Sequence, residues 1–440
     1  MINIKSYVSV SPRIVRSHTR ALITVSAKFD FISFEGEYEI AVLPKYYYES
    51  GDRLAEYSVF YRNAEGGEIK FEYDFAREQE YCLKIKKRGE CGGHDKAVEL
   101  SLYALDEDLF GLYAVKGDLH MHTNCSDGLE SVDHRLAAAR MAGMDMLAIT
   151  DHNGYSGSVR AAELVKRCGI NMVALYGEEV HADFCPVHIL SLGSREAIAP
   201  KVQRRSDGDK LHMRDIAEEY SSRLADDVDK RSFSSAMDVF EKIRAAGGMS
   251  VLCHIYWDAI NAGANARFGA PQQLVDALVE AGKFDAFEIT SGAPASDTQA
   301  NYMQPLYYRE NLPQGFPVIG ITDSHTSDAA LGSIFGKNYT VALVKEFSQK
   351  GIIDAILAGN SVAVDGVQLN PICHGSLRLS KYVTFLIQNY FPVHDSAVRT
   401  EGEIMERVLL AKSGLDTLAE VSAGSMAMLE GEWGNILPKA

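Results

Sequence analysis

Through roughly the first 110 residues apolar and polar positions alternate, in segments reading INIKSYVSV, ALITVSAKF, YEIAVLP, YSVFYRN, IKFEYDF, YCLKIKK and AVELSLYAL. Alternation puts every second side chain on one face, the mark of a half-buried strand. Polar or glycine-bearing turns such as RNAEGGE and RGECGG separate these segments, and no helical period intervenes. The pattern predicts an N-terminal antiparallel β-sandwich over residues 1–112.

After Val115 the rhythm changes to short apolar runs alternating with helical stretches, as in a parallel sheet or barrel wrapped by helices. Expected strands are VKGDLHMH, DMLAIT, NMVALYGEEV, VHILSLG, MSVLCHI, FDAFEIT, FPVIGIT and NYTVALV. Expected helices include VDHRLAAARMAG, VRAAELVKRCG, MDVFEKIRAAGG, PQQLVDALVEAG and GIIDAILAG, most of them closed by a glycine suited to a C-cap. This α/β segment runs from 113 to 370. A charged stretch at about 194–235 is too long for an ordinary βα connection and reads as a partly helical insertion or lid. Residues 371–440 read as a helical C-terminal extension whose amphipathic faces suit packing on the barrel or on a second copy of the chain.

Composition narrows the class. Of 440 residues, 46% are hydrophobic and 24% charged, which describes a folded globular chain. The formal charge of -16 disfavours broad binding of nucleic-acid polymers, although bound cations can reverse the field inside a pocket. The seven cysteines, an odd number with no CxxC pair, fit reduced thiols in a cytoplasm. The opening residues lack a signal-peptide core and no run reaches the ~18 apolar residues of a membrane span, so neither secretion nor a membrane setting is expected.

The chemistry is concentrated at strand ends. His120 and His122 in GDLHMHTNCSDG stand two apart on an expected strand, so both imidazoles face one way and one metal can take both. Asp127 follows in a glycine-flanked turn within reach of the same pocket. The next strands end on Asp151 and His152, carry Glu178 and Glu179, carry His188, end near His254, and finish on Asp323 and His325. In a β/α barrel such ends converge on one face. So many imidazoles and carboxylates in one pocket require cations, and two or three divalent metals meet that need. Nitrogen and oxygen ligands suit zinc, manganese or iron. Cys125 and Cys253 read as packing groups beside the ligands.

These motifs, DLHMHTNCSDG, ITDHN, GEEV, VHIL, LCH and ITDSH in that order, resemble the polymerase and histidinol phosphatase (PHP) family of metal-dependent phosphoesterases over about residues 114–370. The resemblance implies a distorted (β/α)7 barrel, typically three metals, and hydrolysis of phosphoesters. It implies that His120, His122 and Asp323 hold a first metal and that Glu179, fitting the family's Gly-x-Glu-aliphatic spacing better than Glu178, bridges to a second. His254, with His188, would complete the second; Asp127, His152 and His325 would hold the third. Some members carry His where this chain has Asp127.

The expected reaction is attack of metal-activated water on a small phosphate ester, a phosphomonoester or nucleotide. Asp151 would orient a neighbouring imidazole or hold its loop, and His181 is a candidate proton donor to the leaving group. Arg204, Arg205 and Arg267 are candidates to clamp a second anionic group, and Glu288 a candidate hydrogen-bond partner in the site. Three other readings compete. A metal-dependent nuclease or exonuclease would need a basic track; a non-catalytic metal-binding module would show no turnover; a metal-dependent amidohydrolase would normally carry a different ligand set.

Overall fold

A computed structural model describes residues 7–47, 58–89, 97–256, 270–291, 298–367, 370–434 and 436. Two compact units emerge. The smaller comprises Met1–Leu112, Lys381–His394 and Ser425–Leu437, and the larger Tyr113–Ser380, Asp395–Gly424 and Pro438–Ala440. The C-terminal helices Leu377–Asn389, Phe391–Ala411 and Leu415–Trp433 thus contribute residues to both.

The smaller unit holds a three-stranded and a five-stranded sheet. Alternate residues of both, among them Val10, Ile23, Phe71, Ile40, Leu83 and Leu102, share one buried apolar cluster, which is what the period-two pattern requires. One pairing departs from the antiparallel expectation. The short strand Ile14–Arg16, not anticipated from the pattern, runs parallel to Val98–Leu105. Three residues are too few to display a period, so its partner had to be set by the fold.

The larger unit is a mixed α/β fold. One sheet orders Val173–Leu175, Met146–Ile149, Tyr113–Met121, Asn338–Val344, Ser361–Asp365 and Ile372–His374; a second orders Gly177–Val180, Ile189–Leu192, Met249–Leu252, Ala286–Thr290 and Val318–Gly320. Parallel bridges at His152 with Glu179 and at Met121 with Ser324 join the two sheets, so the strands curl together. Helices Val132–Met141, Ser156–Cys168, Lys230–Ala245, Gln272–Ala281 and Gln349–Leu357 lie where their periodicity placed them, and Gly169 closes the second of these in the left-handed conformation.

Two features differ from a uniformly parallel wrapping. NMVALYGEEV breaks at Tyr176 into two strands, one for each sheet. Gly177–Val180 and Ile189–Leu192 then pair antiparallel, because the eight residues between them carry no helix and are too short for a crossover. Antiparallel pairing also joins Tyr113–Met121 to Asn338–Val344. The insertion is helical at Ala199–Gln203 and Asp207–Glu219, the latter opened by a capping box between Ser206 and Asp209. Among the described residues no helix is long and apolar enough to cross a membrane.

Buried ion pairs lock the elements around the site. Arg140, fully buried, donates to Glu401 at 2.9 Å and to Asp145 at 2.9 Å, tying the first helix of the unit to Phe391–Ala411. Such a pair is costly to break because the remaining charge stays buried.

Candidate metal centre

Strand Tyr113–Met121 delivers the first ligand pair. Leu119 and Met121 point into apolar clusters, so Asp118, His120 and His122 share the opposite face. All three are fully buried. Glu179 stands across from them on Gly177–Val180, while its neighbour Glu178 points away and accepts the backbone N–H groups of Ile198 and Ala199. Strand alternation therefore separates the two glutamates into a site residue and a helix-end acceptor.

Six imidazoles surround the Glu179 carboxylate. Oε1 lies 2.7 Å from His188 Nδ1, 3.0 Å from His254 Nε2 and 3.6 Å from His181 Nε2. Oε2 lies 2.9 Å from His152 Nδ1 and 3.3 Å from Nε2 of both His120 and His122. Asp323 Oδ1 approaches His122 Nε2 at 2.9 Å and His120 Nε2 at 3.3 Å. At the outer side Asp127 Oδ2 lies 3.3 Å from Nε2 of both His152 and His325.

Donor atoms thus gather into overlapping groups able to hold an ion: His120, His122, Glu179 and Asp323; Glu179, His188 and His254; and His122, Asp127, His152 and His325. His152, Glu179 and His181 form another, and Cys253 lies beside His120 and His254. The residues expected from the sequence as ligands all fall within the first three groups, in which His122 and Glu179 are each shared by two. The donor chemistry fits divalent cations. His122 Nδ1 and His181 Nε2 are buried without a hydrogen bond among the described residues, which is expensive unless a cation takes the lone pairs.

Burial opposes charge throughout, and the neighbours decide each outcome. For His120, facing Asp323 and Glu179 outweigh burial and raise its pKa well above the ordinary value. His152, hydrogen-bonded to Asp127 and Glu179, is raised to about 10 despite burial, and His254 and His325 move the same way. His188 goes the other way, to about 4: burial dominates, and the charges of His254 and His181 add to it. The imidazoles in turn hold Glu179, Asp127 and Asp323 low against the effect of burial. In the metal-free chain His120, His152, His254 and His325 therefore hold a proton more tightly than a free imidazole does.

Outer partners fix the rings. Glu288 Oε2 lies 3.1 Å from His120 Nδ1, and its Oε1 accepts the His254 N–H at 3.0 Å, so one carboxylate orients two site residues. His325 Nδ1 meets the Asp323 carbonyl at 3.0 Å, leaving Nε2 for the site. Asp151 accepts from Thr123 N–H, Thr123 Oγ1 and Ser126 Oγ at 2.7 to 2.8 Å, bonds that tie the Asp127 loop to the end of the neighbouring strand. His254 and Asp323 adopt left-handed backbone with φ of 25° and 47°, strain of the kind that collects at functional positions.

Some residues escaped the sequence reading. Asp118, raised to about 6 by burial against hydrogen bonds from Thr322 and His120, ties the strand end to Thr322. Its position two before His120 on the same face was a usable signal. Glu130 binds Arg135, Thr326 and Ser327, joining the Asp127 loop to the His325 loop. His181, expected only as a proton donor, stacks on His188 with centroids 3.7 Å apart and faces Glu179. Arg205 is not available as a clamp, being buried against Asp238 at 2.6 Å. Arg204 is exposed, and Arg267 lies outside the described residues. Cys253 is buried and donates to the His188 carbonyl, and Cys125 is exposed.

Fold and site together define a mixed α/β unit built around a multi-histidine, carboxylate-bridged cluster suited to metals. Residues 118–207 match the PHP domain family, as the motifs led one to expect. Among curated proteins, the chain is 41% identical over 83 residues to a phosphoribosyl 1,2-cyclic phosphate 1,2-diphosphodiesterase of Eggerthella lenta, covering 18% of this chain and 31% of that one. It is 34% identical over 116 residues to the DNA polymerase/3'-5' exonuclease PolX of Bacillus subtilis, covering 24% and 18%. The chain thus spans less than a third of the length of either relative. Similar solved structures include a two-domain protein containing a predicted PHP-like metal-dependent phosphoesterase from Bacteroides vulgatus, at 18% identity and a TM-score of 0.39 over 58% of this chain and 66% of that one.

Proposed function

We propose that the chain is a metal-dependent phosphoesterase that hydrolyses a small phosphate ester, a phosphomonoester or nucleotide. The observation that carries this reading is the sharing of Glu179 between adjacent ligand groups. In it His120, His122 and Asp323 would hold one divalent ion, Glu179 with His188 and His254 a second, and Asp127, His152 and His325 a third. Zinc, manganese and iron all suit these donors. When bound, such ions activate water and neutralise charge on a phosphoryl group.

The chain's own residues prepare this chemistry. Glu288 takes the Nδ1 proton of His120 into a hydrogen bond and keeps Nε2 directed at the cluster. Asp118 and Thr322 hold the end of the His120 strand, and Asp151 holds the loop that carries Asp127. His181, partly exposed at the edge of the cluster, is this reading's candidate to give a proton to a departing alkoxide. The domain reading that accompanies this proposal is a sandwich over 1–112, a seven-unit barrel over 113–370 and a helical extension over 371–440, in a cytoplasmic protein.

A second reading, a phosphodiesterase or nuclease, draws on the names of the two curated relatives. One assay separates them. Metal-loaded protein is incubated with phosphomonoesters, nucleotides, cyclic phosphates, single-stranded oligonucleotides and amides. Phosphate release from small monoesters supports the first reading, and shortened oligonucleotides support the second. Absence of turnover with every metal defeats both and leaves a metal-binding module.

A further inference from the structure

A cavity of about 710 Å³ lies in the larger unit between the insertion and the start of helix Lys230–Ala245. Six of its lining residues are Arg or Lys, and Asp183 is the one acid among them. Arg205 is spent on buried Asp238, and Lys210 pairs with Asp207 at 3.2 Å on the open surface. Arg204, Arg214, Lys230 and Arg231 are exposed and make no ion pair with a carboxylate among the described residues. In a chain of net charge -16, four unneutralised cations converging on one concavity oppose one another unless an anion joins them.

The helix adds to this field. Lys230 and Arg231 are its first two residues, and the positive end of its 16-residue dipole faces the same region. The cap, Asp229, is engaged with the N–H groups of Arg231 and Ser232. Phe184, 49% exposed and at a left-handed φ of 68°, holds the Arg231 guanidinium 3.2 Å from its ring centre. A bulky residue in that conformation is a costly arrangement, and here it positions a cation at the cavity wall.

One loop carries both a residue of the candidate metal centre, His181, and two residues of the cavity wall. Asp183 and Phe184 follow His181 by two and three residues, so Asp183 stands within about 7 Å of it along the chain. Gln203, another wall residue, donates to the His181 carbonyl at 3.4 Å. We infer that this cavity binds a second phosphate group of the substrate, one carried on the same molecule as the phosphate presented to the metals. The inference rests on the phosphoesterase reading for the identity of the substrate, but the anion site itself stands on geometry and charge.

Two measurements on the metal-loaded full chain test it, with an Arg214→Ala/Lys230→Ala variant whose replaced side chains are both exposed. In a calorimetric titration with inorganic tripolyphosphate at two salt concentrations, the native chain should bind more weakly at high salt, and the variant at least tenfold more weakly than the native chain. Equal binding by both, or none by either, overturns the inference. In kinetics, the preference in kcat/KM for a nucleoside 3',5'-bisphosphate over p-nitrophenyl phosphate should fall at least tenfold in the variant, carried by KM; an unchanged preference overturns it. Running a 5'-phosphorylated oligonucleotide in parallel tells whether the second phosphate comes from a small molecule or a strand. If the native chain hydrolyses nothing, the phosphoesterase reading fails while the titration still decides the cavity.

Discussion

Replacing Glu179 by Gln removes one charge and one acceptor from the point where the ligand groups meet. Both oxygens are committed: Oε1 faces His188, His254 and His181 between 2.7 and 3.6 Å, and Oε2 faces His152, His120 and His122 between 2.9 and 3.3 Å. An amide nitrogen in either position turns hydrogens towards three imidazoles, whichever way the side chain flips. Of the three groups assigned to metals, two contain Glu179 and the one built on Asp127 does not. On the proposed reading, in which the native chain takes three metals, Glu179→Gln should therefore keep about one. The metal-free protein should lose stability as well, because raised-pKa imidazoles are left buried without their counter-ion. Breaking such a buried pair costs roughly 3–5 kcal/mol. Elemental analysis after dialysis reads the first effect and urea unfolding of chelator-treated protein the second. Native metal content together with a loss below about 1 kcal/mol would refute the claim that this carboxylate joins the sites.

Three further outcomes follow from neighbouring geometry. Glu288→Gln leaves the cluster intact but loosens His120, so metal affinity should drop about 10–100-fold; a competition titration against a chromophoric chelator that returns native affinity would contradict the orienting role. A Cβ at Gly128 would lie 2.6 Å from backbone atoms of His122 and Thr123, which cannot yield as a flexible side chain does. Gly128→Ala should shift the Asp127 loop, cost about 1–3 kcal/mol and release the outer metal before the others, an order that stepwise chelation with elemental analysis would expose. Finally, His152 is raised from 6.5 to about 10, so its stabilisation of the metal-free chain is complete below pH 6.5 and fades as pH climbs towards 10. His188, lowered to about 4, acts below that window. The Tm of chelator-treated protein should fall across pH 6.5–10 while affinity for added metal rises, since metal and proton compete for the same nitrogens; a Tm that increases over this range would count against the carboxylate–imidazole network.

How much of this was legible in the chain varies with the distance over which each feature is encoded. Local features were open to reading: the two-residue spacing of His120 and His122, the helices with their glycine stops, the alternating strands of the first hundred residues. The choice of Glu179 over Glu178 came from a motif, and strand alternation supplies its physical basis. Pairing partners were less accessible. That Gly177–Val180 turns back on Ile189–Leu192, or that Ile14–Arg16 joins Val98–Leu105 in parallel, depends on which edges are free once the other strands are in place.

The amino-acid order alone determined which residue types stand at the strand ends, and hence that a metal-rich chemistry was on offer, because that information lies within a few consecutive positions. Tertiary structure alone decided that His181 joins the cluster and that Glu288 steers His120 from 168 positions away. It also buried Arg205 against Asp238 while leaving Arg204, Arg214, Lys230 and Arg231 around an open cavity. A side chain's charge is written in the sequence, but whether that charge is neutralised depends on which distant group the fold brings within a few ångströms.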